Sequence, residues 1–376
     1  MRAGKYVEDK DGVLSFWPID LPPNPPLEID SEMADLLSRA ERSLGRLDGI
    51  SGKLPNPNLF IAMYVRQEAT LSSQIEGTQA SLMDVLEYEA AEINDDRVPD
   101  VIEIVNYVSA LDYGLSQCKT RDISIELLNE IHLKLLADAR GSEKNPGHLR
   151  ETQNWIGPEG CTIFDAAFVP PPPAEIERLL NELMAFIKVD APYPALLRYA
   201  MIHSQFETIH PYLDGNGRMG RLLITLLLCK ESVISRPILY LSLFFKKNRS
   251  QYYRLLQKVR DDGDWELFVK FFLSGIYDIS EDAIKTASKI QDLKDKHHKM
   301  IADTFRSITV PTKLLDSLYE IPFIKVNKVV ELLEISYPAA NNLVEKFETL
   351  GILVEITGQK RNRIYNIKDY IDIFPQ

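Results

Sequence analysis

The sequence predicts a mainly α-helical protein with a few short β elements, and three observations carry that expectation. Apolar residues recur at helical spacing before a glycine-rich stretch (Leu196, Leu197, Tyr199, Ala200, Ile202, Phe206, Ile209), and Leu222 to Leu228 continue a buried helix after it. A long amphipathic run follows from Ile276 to Ile301. Strand-favouring runs are confined to Thr162-Ile163-Phe164, Ala167-Phe168-Val169, Ile352 to Ile356 and Arg363 to Ile367.

At 376 residues the chain exceeds one ordinary domain, and a hydrophobic content of 45% suffices for a real core. A formal charge of −12 disfavours a protein whose main task is coating nucleic acid. Cys118, Cys161 and Cys229 form no C-x-x-C, which suggests free thiols in a reducing compartment. The first eleven residues hold no apolar leader, and the longest apolar run, Leu222 to Cys229, is too short to span a bilayer. A cytoplasmic protein without a membrane partner is the expectation.

Residues 1–30 are charged and then proline-rich (Leu21-Pro22-Pro23-Asn24-Pro25-Pro26), which reads as an extended arm. Residues 31–117 form a helical unit. Its first helix opens at Asp30-Ser31 with Ala34, Leu36, Leu37, Ala40 and Leu44 on its apolar stripe, and Pro55-Asn56-Pro57-Asn58 separates it from a second. The second carries Phe60, Ile61, Met63, Tyr64, Ala69, Leu71 and Ile75, then stops at Glu76-Gly77, where glycine can cap it. Scaffold helices follow, divided by a charged linker from Glu92 to Pro99. Residues 118–275 form a core unit in which Ser124 to Leu136 is a helix and His132 a packing residue. A short hairpin is expected over Ile163, Phe164, Phe168 and Val169 around Asp165.

Beyond the glycine-rich stretch, Tyr240, Tyr252 and Tyr253 read first as core aromatics, and a helix passes through Trp265 to Phe268. Residues 276–304 are expected to be a linker helix with His297 and His298 on its solvated face. Residues 305–376 give three short helices and two strands around Gly358 to Asn362, an order that resembles a winged helix. Nine Lys or Arg stand against nine Asp or Glu there, so a basic DNA-binding character is confined to the Lys360-Arg361-Asn362-Arg363 tip. Contact with a protein is favoured over DNA.

The densest chemistry lies in His210-Pro211-Tyr212-Leu213-Asp214-Gly215-Asn216-Gly217-Arg218-Met219-Gly220-Arg221, a loop joining two core helices. Gly215 and Gly217 permit turns that let backbone amides converge where the second helix starts, a ready anion site. Arg218 and Arg221 beside a helix N-terminus oppose its dipole unless an anion sits between them, so the implied ligand is a polyphosphate. The G-x-G-x-x-G match at Gly215 to Gly220 requires a preceding strand, and here a helix precedes it. No P-loop sequence exists. His210 and Asp214 lack the further ligands that zinc requires.

This stretch resembles the signature of the Fic family, HPFx(D/E)GNGRxxR, with Tyr212 in place of Phe. The resemblance implies a Fic-type helical core with a β-hairpin flap, and transfer of AMP from ATP to a Tyr, Ser or Thr hydroxyl of a protein. His210 would be the general base and Asp214 the Mg²⁺ ligand. Gly215, Asn216 and Gly217 would cradle phosphates, with Arg218 and Arg221 neutralising their charge. Tyr240, Tyr252 and Tyr253 would line the adenine side. Gly217, where Doc-like relatives carry lysine, argues for AMP transfer rather than phosphorylation.

Ser72-Ser73-Gln74-Ile75-Glu76-Gly77 resembles the inhibitory motif (S/T)xxxE(G/N) in its class II, N-terminal position. Glu76 would pair with Arg221 at the γ-phosphate seat, with Ser72 steadying the helix. The segment from Gly147 to Pro173 resembles the flap that docks a target chain, here through Ile163, Phe164, Phe168 and Val169. Self-modification and a homodimer are carried as further expectations. The alternatives are a DNA-binding regulator acting through the winged helix, and removal of AMP from modified proteins.

Overall fold

In the computed structural model, which describes residues 2–52, 57–91, 99–158, 160–188, 193–359 and 361–374, residues 4–18 of the N-terminal arm form a hairpin, and the proline-rich part that follows has no regular structure. β1 (Gly4–Glu8) and β2 (Leu14–Pro18) pair antiparallel, with Gly4 opposite Pro18. The Asp9 carboxylate accepts the amides of Asp11 and Val13 and so closes the turn, a local bond that charge composition alone does not announce. Phe16 is fully buried, and that apolar anchor explains why the arm is held. The break at 55–58, the linker at 92–99 and Lys360 fall wholly or partly outside the described residues.

α1 (Ser31–Ser51) starts where Asp30 accepts the Met33 amide, and its Ala40, Leu44 and Leu47 face the core. α2 (Pro57–Ile75), α3 (Leu82–Ala91) and α4 (Pro99–Cys118) complete the N-terminal helices. α5 (Ile125–Leu135) is capped by Ser124, and α6 (Pro173–Lys188) leads to the central pair, α7 (Ala195–Ile209) and α8 (Asn216–Lys230). Leu196 to Ile209 are buried without interruption, the pattern of a helix packed on every side. α2 and α4 both pack on α8, so the N-terminal helices form one wall of the central site.

After α9 (Ser242–Lys247) and α10 (Arg249–Asp262) comes α11 (Trp265–Thr304), 40 residues long. At a rise of about 1.5 Å per residue it spans roughly 60 Å. The expected separation between a helix at Trp265 and a linker helix from Ile276 does not occur. Phe268, Phe272, Ile276, Ile279, Ala283, Ala287 and Ile290 continue a single buried stripe through the junction, against which α1 lies. His297 is likewise buried rather than solvated, paired with the Tyr319 hydroxyl at 3.1 Å.

The C-terminal residues form α12 (Thr309–Glu320), β3 (Phe323–Lys325), α13 (Val326–Leu333), α14 (Tyr337–Thr349), β4 (Val354–Glu355), β5 (Ile364–Asn366) and α15 (Lys368–Ile371). Their strands make an antiparallel sheet in the order β3-β5-β4. Phe374 from this region packs edge-on against Tyr64 of α2 at 5.8 Å.

The flap differs from the expected hairpin. Thr162-Ile163-Phe164 is not a strand: Ile163–Asp165 is a 3-10 turn, closed by the Thr162 hydroxyl on Asp165 at 2.7 Å and the Asp165 amide on the Thr162 carbonyl at 3.1 Å. Local side-chain bonds of this kind override strand propensity. Phe168 instead exchanges both backbone bonds with Ile156, and the next residue, Val169, accepts the Phe16 amide at 2.9 Å. Segment 168–169 therefore has a partner on each side.

Candidate active site

The glycine-rich loop is built by its own side chains. Asn216, almost fully buried, accepts the Tyr212 amide and donates to the Tyr212 carbonyl, both at 2.8 Å, clamping the loop into a closed turn. Gly215 takes the left-handed conformation (φ 76°) that starts α8. By helix geometry the first-turn amides of Asn216, Gly217 and Arg218 have no acceptor within α8, and they converge on one spot. Asn216 thus shapes the cradle with its carboxamide and offers it a backbone amide. The Tyr212 hydroxyl donates to Asn129 Oδ1 at 3.0 Å, and the ring stacks on His132 with centroids 3.8 Å apart. A tyrosine at this position therefore has a partner for the atom phenylalanine lacks.

His210 sits at the C-terminus of α7 in a left-handed conformation (φ 51°), which turns its ring out of the helix toward the loop. Its Nδ1 lies 3.4 Å from the Glu207 carbonyl. An N–H donated there leaves Nε2 with a free lone pair. Burial first, then the nearby Arg260 and Arg150 guanidinium groups, push the imidazole pKa down to about 3, so the ring is a neutral acceptor at ordinary pH.

Asp214 is 38% exposed, accepts the Gly215 amide at 2.5 Å through Oδ1, and lies 3.6 Å from Arg218. Gly141 backs it so closely that a Cβ there would meet Oδ2 at 2.6 Å. One half-open carboxylate suits Mg²⁺, which takes its remaining ligands from water and phosphate. Among the described residues no group of three or more His, Cys, Asp or Glu could hold a metal by itself.

The two arginines part company. Arg221 donates through Nη2 to Glu76 Oε1 at 2.6 Å and to the Ser72 carbonyl at 2.9 Å, and through Nε to the Ser72 hydroxyl at 2.9 Å. Burial of its inner side would raise the Glu76 pKa, but Arg221, then Arg218 and His210, hold it below the usual carboxylate value. A Cβ on Gly217 would collide with Glu76 Oε1, so the missing side chain is what admits this carboxylate. Arg218 turns inward instead, 1% exposed, with Nη1 3.4 Å from Glu103 of α4.

The tyrosines separate too. Tyr253 is exposed and Tyr252 buried, but their ring centroids lie 5.1 Å apart, and after burial the Glu76 charge helps to raise the pKa of both hydroxyls. The Tyr252 hydroxyl lies 2.8 Å from His203 Nε2 of α7. Tyr240 is not brought to the site. It packs edge-on against Tyr64 at 4.8 Å in the core, so its placement on the adenine side is corrected. Of the flap residues, Phe164 is exposed and Ile163 half-buried, whereas Phe168 and Val169 are buried beneath the N-terminal hairpin and do not face outward.

Residues 34–116 match the Fic/DOC family N-terminal model and residues 122–228 the Fic/DOC family model, together just over half of the chain. The chain belongs to the Fic/DOC family. It is 26% identical over 206 residues to a probable protein adenylyltransferase of Aquifex aeolicus (strain VF5), an overlap of 54% of this chain and 57% of that one. It is 30% identical over 208 residues to the protein adenylyltransferase Fic of Drosophila melanogaster, an overlap of 52% and 37% respectively. The chain thus spans between about a third and somewhat over half of the length of these curated relatives. A solved Fic family protein from Desulfovibrio desulfuricans G20 superposes with a TM-score of 0.60 over 91% of this chain and 97% of that one, at 19% identity. Fic-1 from C. elegans does so with a TM-score of 0.51 over 70% and 74%, at 20% identity. At such identities the likeness is one of fold.

Several residues outside the twelve-residue stretch support the site. Arg150 donates to the His210 carbonyl at 2.9 Å and to the Pro171 carbonyl at 2.5 Å, tying the base to the root of the flap. His132 accepts the Gly147 amide on Nδ1 and so donates from Nε2 to the Asp214 carbonyl, each at 2.9 Å. Glu68, one turn before Ser72, accepts the amide and hydroxyl of Ser242 and fixes α2 against the start of α9. The buried Glu207, raised to about 7 chiefly by burial, fills the space that Gly220 leaves open. The one sequence signal for the last two is a carboxylate at an otherwise apolar helical position.

Proposed function

We propose that this chain transfers AMP from ATP to a hydroxyl of a protein. The observation that carries the reading is Glu76: an ionised carboxylate rests against Gly217 and on Arg221 at 2.6 Å, where the amides of α8 begin, so the spot already accepts an anion. A nucleotide's terminal phosphate would take that seat and its inner phosphates the helix N-terminus. His210 Nε2 would remove the proton from the target hydroxyl as its oxygen forms a bond to the α-phosphorus and the bond to the pyrophosphate oxygen breaks. A Mg²⁺ ion held by Asp214 would offset the phosphate charge. The family relatives named as adenylyltransferases support the same chemistry for the matched region.

Glu76 then serves as a brake. A carboxylate bonded to Arg221 occupies the donor a γ-phosphate needs, and Ser72 keeps that guanidinium turned toward it. A target chain would dock at the outer side of the flap, near the exposed Trp155 and Phe164, because segment 168–169 has no free edge. The neutral charge balance of residues 305–376 favours a protein-recruiting role for the C-terminal region. Labelled ATP with Mg²⁺ and cell lysate tests the reading. Glu76→Gly should place AMP on a protein, and a variant that binds ATP yet labels nothing would overturn it.

A further inference from the structure

Glu103 of α4 is fully buried, and three donors from three separate segments meet on its carboxylate. The Thr78 hydroxyl donates to Oε2 at 2.7 Å, as do Arg140 Nη2 at 3.3 Å and Arg218 Nη1 at 3.4 Å, and Arg140 Nε lies 3.1 Å from Oε1. Each donor has a bearing on the brake. Thr78 closes the end of α2: the Gly77 amide donates to the Gln74 carbonyl and the Thr78 amide to the Ser73 carbonyl, a terminal turn that holds Glu76 just past the last helical residue, Ile75. Arg140 also reaches the Glu76 carbonyl at 3.5 Å. Arg218 is the signature arginine that starts α8.

From this convergence we infer that Glu103, Thr78 and Arg140 form a latch that sets how readily Glu76 leaves Arg221. The inference rests on the reading of Glu76 as a brake. Glu76 can vacate its seat by turning its side chain or by opening the turn at Gly77, and the Thr78–Glu103 bond opposes the second route. Glu103 cannot yield, because its counter-charge Arg218 is itself sealed in the core. Arg140, 51% exposed, is the only one of the three donors open to solvent, so an acidic group arriving from outside would loosen the latch there by drawing Arg140 away. Glu103 is a positioning residue, with no contact to the seat itself.

The test uses the full chain with Thr78→Val, which keeps shape and removes the donor, and Thr78→Ser, which keeps the donor. Mg-ATP affinity, AMP-transfer rate and amide hydrogen exchange over 76–80 are measured with Glu76 intact and in a Glu76→Gly background. Thr78→Val should raise both affinity and rate roughly tenfold with Glu76 present, the size of one charge-assisted hydrogen bond, and hasten exchange. In the Glu76→Gly background it should alter neither affinity nor rate, and Thr78→Ser should behave as the parent. No effect with Glu76 present, or an equal effect in both backgrounds, overturns the latch. Shifts in affinity and exchange without any AMP transfer would uphold the latch and overturn the transfer reading instead.

Discussion

Arg218 and Arg221 stand one turn apart on the same helix, both nearly inaccessible, yet they meet opposite kinds of carboxylate. Arg218 faces Glu103, which is 0% exposed and hemmed in by Thr78 and Arg140. Arg221 faces Glu76, whose side chain keeps 31% exposure at a helix end. A carboxylate enclosed in this way has nowhere to go, whereas one with a solvent route can be exchanged for another anion. The difference teaches that burial alone separates the pair: the carboxylate on Arg221 has a route to solvent and the one on Arg218 has none.

The largest effect concerns a residue that neither pair includes. His210→Ala should cut AMP transfer by roughly 10²–10⁴-fold while Mg-ATP affinity stays unchanged. A parallel fall in affinity, read by calorimetry, would mean that the base and the arginine seat are not separate. Next come the arginines themselves. Arg218→Met leaves Glu103 buried without its one buried counter-charge and should lower stability by about 3–5 kcal/mol in a denaturant melt. Arg221→Met should cost clearly less, because Glu76 can turn to water. Equal losses would erase the distinction.

Glu76→Gly sharpens it: removing the exchangeable carboxylate should tighten Mg-ATP about tenfold and raise transfer, whereas Glu103→Gln should weaken the fold. The pH profile follows from His210. Its pKa, depressed by burial and then by Arg260 and Arg150, keeps the base neutral at ordinary pH, and protonation removes it only well on the acid side of the usual imidazole range. The acid limb of kcat/KM in the Glu76→Gly form should therefore lie below the ordinary imidazole value of about 6.5, and a limb at or above it would contradict the buried setting. The smallest effect is Tyr212→Phe, which removes the bond to Asn129 and should cost about 1 kcal/mol in thermal or chemical unfolding, with AMP transfer retained.

How much of this was legible depends on whether the interaction is local. The helical class, the start of α1 at Asp30 and the stop of α2 at Gly77 follow from periodicity and capping, which act within a turn. The twelve residues from His210 to Arg221 carry their chemistry contiguously, so a sequence displays it entire. The flap was misjudged because Thr162 and Asp165 bond to each other, a choice between strand and turn that propensity does not make. The hairpin of residues 4–18 was missed because its anchor, Phe16, becomes buried only against the rest of the fold.

By itself, then, the sequence determined the family and the helical class, because a contiguous signature and helical periodicity each show in a short stretch. Which arginine meets Glu76, which tyrosine is exposed and what encloses Glu103 were decided only by tertiary structure. Glu76 meets Arg221 across 145 residues and Glu103 meets Arg218 across 115, and no local pattern says which carboxylate will be enclosed and which left a way out. Burial fixes that choice, since an enclosed charge must keep its partner and a half-open one need not.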